Sequence, residues 1–314
     1  MVAAYDDKWF VVVKTAAGGG KALRKWPHIA DGLQRQGITF DVRITQDIAE
    51  VGPVVSAAIS EGFRRFISVG GDGSHHTLIN AAYPAPERLT MAIVPVGTGN
   101  DWARTFGIRR DIRQAVTHIV TGKVIRHALG TVTFDEGDRF RYFVNVLGCG
   151  LDGFVMQGMS RQPRRAGNTL IYLQHGIRAL WKYRPGESTI TCGDQQLRGT
   201  FITIHAGICR YSGGGMSFTP HADPCGRTLA VSCIRNAGHL ALISNIPRLY
   251  LGTIARYRQV VTLAAPGVIV TDDHLQNLPV EADGEYLGTG SFEAAIIPGA
   301  FDLIVPERWT DKSR

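Results

Sequence analysis

The chain has 314 residues, a formal net charge of +7 and a pI near 9.3. That length exceeds one ordinary hydrophobic core, so two domains are expected, and 44% hydrophobic with 19% charged residues excludes a disordered chain. The basic balance suits nucleic acid, an anionic membrane, phosphorylated small molecules or simply a solvated basic surface. The densest groups (Arg64-Arg65, Arg109-Arg110 and the arginines of 161–165) lack aromatic interleaving, and no zinc-finger spacing occurs, which excludes the common nucleic-acid modules.

In chain order, the first ~125 residues alternate short apolar runs with amphipathic segments, the pattern of α/β layering. Residues 9–13 read as a strand. The triplet Gly18-Gly19-Gly20 breaks it, and 21–35 has helical spacing through Leu23, Trp26, Ile29, Ala30 and Leu33. A strand over 39–44, a helix over 51–61 with Pro53 in its first turn, and a strand over 66–69 follow. The next helix is expected over 74–82, a fourth strand over 91–94, and helices over 101–106 and 112–120. Beyond Arg126 the texture turns to short β-rich runs: 132–134, 141–146, 188–191, 201–205, 229–234, 260–263, 268–271, 292–297 and 301–305. Residues 169–183 and 239–250 read as helical insertions. The division is therefore 1–125, an α/β domain, and 126–314, an antiparallel β-sandwich, with the option that the final strand packs back on the first domain.

Two strand ends concentrate the chemistry. Gly70-Gly71-Asp72-Gly73-Ser74 stands where a strand gives way to a helix, with Ser74 expected near its cap. Backbone N–H groups and the positive helix end there accept phosphate. Asp72 would repel phosphate, so its expected work is to hold magnesium or to accept a proton from an attacking hydroxyl; an ordinary Asp-Gly turn is the alternative. Gly97-Thr98-Gly99-Asn100-Asp101 repeats the logic one strand later, with Asn100 and Asp101 also suited to capping the next helix. Gly18-Gly19-Gly20-Lys21 lacks the spacing and the Ser/Thr of a Walker loop, and is either a phosphate-facing turn or a plain loop. Of the adjacent His75 and His76, one is expected to face the loop, and neither makes a metal site. Asp283-Gly284-Glu285 reads from its residues alone as a tight hairpin turn.

Taken together, Gly70-Gly71-Asp72-Gly73-Ser74, Gly97-Thr98-Gly99-Asn100-Asp101-Trp102-Ala103-Arg104 and Asp283-Gly284-Glu285 resemble the diacylglycerol kinase catalytic-domain family, which includes bacterial lipid kinases and sphingosine kinases. The resemblance implies an N-terminal α/β nucleotide-binding domain plus a C-terminal antiparallel β-sandwich, with the active site in the interdomain cleft. It implies an ATP-dependent lipid kinase. ATP would be contacted by Thr45, Gly70, Gly71, Asp72, Gly73, Ser74, His75, His76, Gly97, Thr98 and Asn100, Mg2+ held by Asp72 and Asp101, and Glu285 or Asp72 would act as base. A soluble substrate, as in NAD kinase, and an inactive binding relative are the alternatives. The chain departs from the family at Lys14-Thr15, where Asn-Pro is usual, and at Thr77, where Glu is usual. It departs again around Asp223 and Cys225, so an accessory metal site there is expected to be absent or rebuilt.

Partners implied are a lipid substrate at an anionic membrane surface and no nucleic acid, with a homodimer open. Five cysteines without C-x-x-C spacing read as buried reduced thiols. With no apolar h-region near the start and no run of ~20 apolar residues, the expected location is cytoplasmic and peripheral to the membrane.

Overall fold

The computed structural model describes residues 7–15, 19–83, 88–134, 139–160, 176, 178–272 and 278–310. Strand β1 (Trp9–Lys14) is buried at every position, as the central member of a parallel sheet must be when both faces are covered. It pairs in parallel with β2 (Phe40–Thr45) on one side and β3 (Arg65–Gly70) on the other, and β3 pairs in parallel with β4 (Thr90–Pro95). Both β3 and β4 are continuously buried after their first residue. Helix α1 (Lys21–Arg35) buries Ala22, Ile29 and Leu33, one stripe at helical spacing. Helices α2 (Val51–Ser60), α3 (Asp72–Ala82), α4 (Asp101–Thr105) and α5 (Ile112–Thr121) follow. The Asp111 carboxylate caps α5 by accepting from the Gln114 N–H at 2.9 Å.

The chain divides into two compact units, the first running to His127 and resuming at Gly299, the second spanning Ala128–Pro298. The strand expected in two pieces over 292–297 and 301–305 is one strand, Phe292–Val305. Its beginning pairs antiparallel with Gly267–Asp272 in the second unit, and its end lies parallel to β4 in the first, with Asp302 opposite Thr90. The segment assigned to the second domain therefore ends at Pro298, and Gly299, at φ 58°, stands at the change of unit.

Within the second unit the 13-residue strand Gln195–Gly207 organises the rest. Its first half pairs with Glu187–Cys192 and its second half with Val146–Gly150 and Leu229–Arg235, all antiparallel. Val146–Gly150 continues to the hairpin Pro279–Ala282 and Glu285–Thr289. Helices α6 (Leu151–Ser160) and α7 (His239–Tyr250) attach to this frame. A core cluster forms from Tyr183, Ile202, Met216, Phe218, Ile234, Leu249 and Ile254.

Several expectations need correction. Helix α3 starts at Asp72, two residues early, because Gly71 is extended (φ −111°, ψ −173°) and its carbonyl accepts from the Ser74 and His75 N–H groups. Ser74 thus lies inside the first turn, not at the cap. The strand expected over 141–146 is split into Arg139–Phe143 and Val146–Gly150 by a bend whose N–H groups turn to Asp283. Cys225 is exposed, while Cys149, Cys192, Cys209 and Cys233 are buried thiols. Of the helix expected over 169–183, residues 161–175 and 177 lie outside the described residues, and 178–182 are helical. No described helix is long and apolar enough to cross a membrane.

Gly122, between α5 and the strand that follows it, has no room for a side chain. A Cβ would lie 2.4 Å from both the His118 and Val305 carbonyl oxygens. We expect Gly122→Ala to destabilise the protein by about 1–3 kcal/mol, read as a lowered urea midpoint; an unchanged midpoint would contradict this packing.

Candidate functional site

In the first unit the loops after β3 and β4 are fastened together by backbone. The Gly70 carbonyl accepts from the N–H groups of Val96 (2.8 Å) and Gly97 (3.2 Å). A Cβ on Gly97 would fall 2.5 Å from the Gly71 Cα and 2.8 Å from Asn100 Oδ1. These glycines are therefore required by close approach, since neither has a positive φ. Asn100 adopts the left-handed region (φ 53°), and its Nδ2 donates to the Gly97 carbonyl at 2.8 Å. Its Oδ1 is buried without a hydrogen-bond partner.

Asp72 leads α3, yet its carboxylate serves the neighbouring helix: Oδ1 accepts from the Trp102 N–H at 3.1 Å, and the Asp101 and Asn100 N–H groups also bond it. Burial and then the negative charge of Asp101 push the Asp72 pKa up to about 6, against the opposing pull of those three N–H groups. Asp101 is buried at 5% exposure, with Arg104 Nε 3.4 Å from its Oδ1. Gly99 lies over both acids, since a Cβ there would sit 2.9 Å from Asp72 Oδ2 and 3.6 Å from Asp101 Oδ2. The Trp102 indole donates to His127 Nε2 at 3.0 Å, and His127 stacks on Phe301 at 4.9 Å, so the acidic loop is tied into the core.

The other expected ligand residues are placed as follows. Thr45 ends β2 at 1% exposure, and its hydroxyl is buried without a hydrogen-bond partner. Gly73 and Ser74 are part-exposed in the first turn of α3, with open space around Gly73. The carbonyls of Thr98 and Gly99 accept from the Arg110 guanidinium, a clamp no local motif announces. Neither histidine faces the loop. His75 packs Nδ1 2.7 Å from Ser68 Oγ of β3, and burial pushes its pKa down to about 3, so it is neutral. His76 is buried with Nε2 3.2 Å from Asn80 Nδ2. Thr77, where the family has Glu, donates to the Gly73 carbonyl at 2.7 Å. Gly19 and Gly20 have positive φ (69° and 80°) and lead into α1, whose first residue Lys21 is exposed.

Magnesium fits this donor set. Among the described residues no three His, Cys, Asp or Glu side chains group as a metal cage. Mg2+, however, is commonly held by one or two carboxylates, with phosphate oxygens and water completing its shell. The mutual repulsion that raises the Asp72 pKa is what a divalent cation relieves.

In the second unit Asp283 and Gly284, at φ 51° and 83°, form a two-residue connection between paired strands, a conformation that favours Asp-Gly. The Asp283 carboxylate gathers the N–H groups of Val144 (2.8 Å), Asn145 (2.9 Å) and Val146 (3.1 Å). Glu285 opens the returning strand and is half-buried. Asp223 holds a turn by accepting from the Cys225 N–H at 2.8 Å.

Two further features gave no signal in the sequence. Glu281 is 2% exposed and accepts from the Gly284 N–H at 2.8 Å. His205 lies within 3.0 Å of both Asp152 Oδ2 and Thr203 Oγ1 and stacks on Phe218 at 3.9 Å. Asp152 and Thr203 supply polar atoms to an otherwise mostly apolar pocket whose space, with the open solvent at its mouth, is about 830 Å³, lined by Leu151, Val155, Leu180, Ile202, Met216, Phe218, Ile246 and Leu249 among others.

Burial, and secondarily Asp152, push the Glu281 pKa well above its ordinary value. The protonated acid therefore contributes stability that is fully present below the ordinary carboxyl range and is lost as pH rises through the raised value. We expect Glu281→Gln to flatten that decline, so that the variant gains on the native protein toward alkaline pH in urea titrations. Parallel pH profiles would count against a buried neutral acid.

Residues 8–132 match the diacylglycerol kinase catalytic domain, and residues 145–305 match the YegS C-terminal NAD kinase beta sandwich-like domain. The chain is 26% identical over 305 residues to YtlR of Bacillus subtilis, covering 92% of this chain and 97% of that protein. It is 24% identical over 292 residues to a Mycobacterium tuberculosis diacylglycerol kinase, covering 92% of each. The fold matches a crystal structure of a Bacillus anthracis diacylglycerol kinase with a TM-score of 0.75, at 22% identity, covering 95% of this chain and 97% of that one. With glycine-bound acids in the first unit and an antiparallel sandwich in the second, the chain belongs to the diacylglycerol kinase catalytic-domain family of lipid kinases.

Proposed function

We propose that the protein transfers the γ-phosphate of ATP to the hydroxyl of a lipid alcohol, of the diacylglycerol or long-chain-base kind. The observation that carries the lipid assignment is the pocket in the second unit, open to solvent and lined mostly by apolar side chains. A soluble dinucleotide would leave such a lining without polar partners. The printed names of relatives, diacylglycerol kinase among them, agree with a lipid acceptor.

Phosphoryl transfer rests mainly on positioning and charge neutralisation. The backbone of Gly71, Asp72 and Gly73, where β3 gives way to α3, offers N–H groups to phosphate. The Thr45 hydroxyl and Asn100 Oδ1 supply further polar atoms without partners of their own. Asp72 and Asp101 would hold Mg2+, which when bound neutralises phosphate charge. Glu285 or Asp72 accepts the proton of the lipid hydroxyl. The assignment places the enzyme at an anionic membrane, where such lipids reside, and in phospholipid metabolism.

We expect Asp72→Asn and Glu285→Gln each to lower kcat by roughly 10²-fold or more without altering the circular dichroism spectrum. The assay is transfer of labelled phosphate from ATP to a panel of lipid alcohols, with NAD as the soluble comparison. Label in NAD alone, or full turnover by both variants, would overturn the assignment.

A further inference from the structure

Helix α7 carries two different faces. Leu242, Asn245, Ile246 and Leu249, at helical spacing, line the apolar pocket. The opposite face turns Leu240, Ser244, Pro247 and Arg248 to solvent. Leu240 is 82% exposed, and Leu251, just past the helix end, 74% exposed. Trp181, 56% exposed, stacks on His239 at the helix start with ring centroids 4.4 Å apart. The apolar exposure thus extends along the whole helix, about 16 Å. Isolated exposed leucines are ordinary, but three large apolar groups on one helix and its flank are not.

The charge on the segments that carry them has one sign. Residues 178–186 and 236–259 contain Arg178, Lys182, Arg184, Arg248, Arg256 and Arg258, and no Asp or Glu. All six basic side chains are exposed. Exposed apolar residues with an interfacial tryptophan, on segments rich in arginine and lysine, are what an anionic bilayer surface attracts. A second copy of the chain seated here would instead place like charges against like.

We propose that the outer face of α7, with Trp181 and Leu251 at its two ends, docks the protein on an anionic lipid bilayer. The proposal rests on reading the pocket as the lipid site, because the same helix walls that pocket. Docking by the outer face sets the pocket wall against the source of its lipid.

The test is flotation of the full chain with phosphatidylcholine vesicles, with and without phosphatidylglycerol. We expect the native protein to bind the anionic vesicles alone, and less as salt rises. Each basic residue removed should lower partitioning roughly fivefold, so Arg248→Glu with Arg258→Glu loses at least that much twice over. Leu240→Ser with Leu251→Ser should release the protein comparably, and Trp181→Phe should abolish the vesicle-induced blue shift in tryptophan fluorescence. Turnover of a detergent-dispersed lipid alcohol should be unchanged in all of these variants. Variants that float like the native chain, a native chain indifferent to phosphatidylglycerol, or a leucine pair whose loss splits a dimer would each overturn the docking face. A native chain that docks as described yet phosphorylates no lipid would uphold the face and defeat the kinase reading.

Discussion

The candidate phosphate site depends on one steric fact: Gly71 and Gly97 meet backbone to backbone, at a distance that leaves no space for a Cβ on Gly97 and little for one on Gly71. With any side chain at 97, the loop after β4 would have to move off the loop after β3. The Gly70 carbonyl would lose its two N–H donors, and Asp72 would no longer reach the start of α4. The acids are close because the backbone is close. Their mutual repulsion is imposed by the fold and balanced in part by N–H groups. A site strained toward positive charge in this way suits the cation that the proposed function assigns to it.

The second unit solves a similar positioning problem by the same means. Asp72 caps a helix 30 residues away, and Asp283 gathers three N–H groups from a bend 137 to 139 residues away. In both places a short carboxylate collects orphan backbone donors from a distant segment, an arrangement whose loss costs about 0.5–2 kcal/mol at a helix cap. Asp283 is thereby committed to holding the 144–146 bend, and Glu285 opens the returning strand. The hairpin reading of Asp-Gly and the role that the resemblance implies for the following Glu are compatible: the turn is structural and its neighbour is presented by it.

Much of this was legible from local pattern. The helix over 21–35 and the helix over 239–250 are where periodicity put them, because each has an apolar stripe and breakers at its ends. The glycine–aspartate loops were visible because strand, glycine and acid are adjacent in sequence. What stayed hidden is long-range. Nothing near Arg110 predicts that it clamps Thr98 and Gly99, and nothing near His127 predicts that it accepts from Trp102. His75 and His76 were misplaced because spacing shows that two side chains diverge, not that the first turn of α3 buries both. The Asp152, His205 and Glu281 group comes from three separate segments and is joined only when sheet pairing brings Gly148 opposite both His205 and Glu281.

The formal charge of +7 understates how basic the solvent-facing surface is. Asp101, Asp152, Asp272 and Glu281 are buried, and burial pushes the Glu281 pKa well up, whereas Lys14 is the buried lysine or arginine among the described residues. The acids that offset the arginines are disproportionately inside, where they shape the two sites, and the arginines remain outside. Even scatter of the surplus charge would serve solubility alone. Its concentration on the segments that carry exposed Leu240, Leu251 and Trp181 gives the excess a direction, and that direction coincides with the outer wall of the apolar pocket.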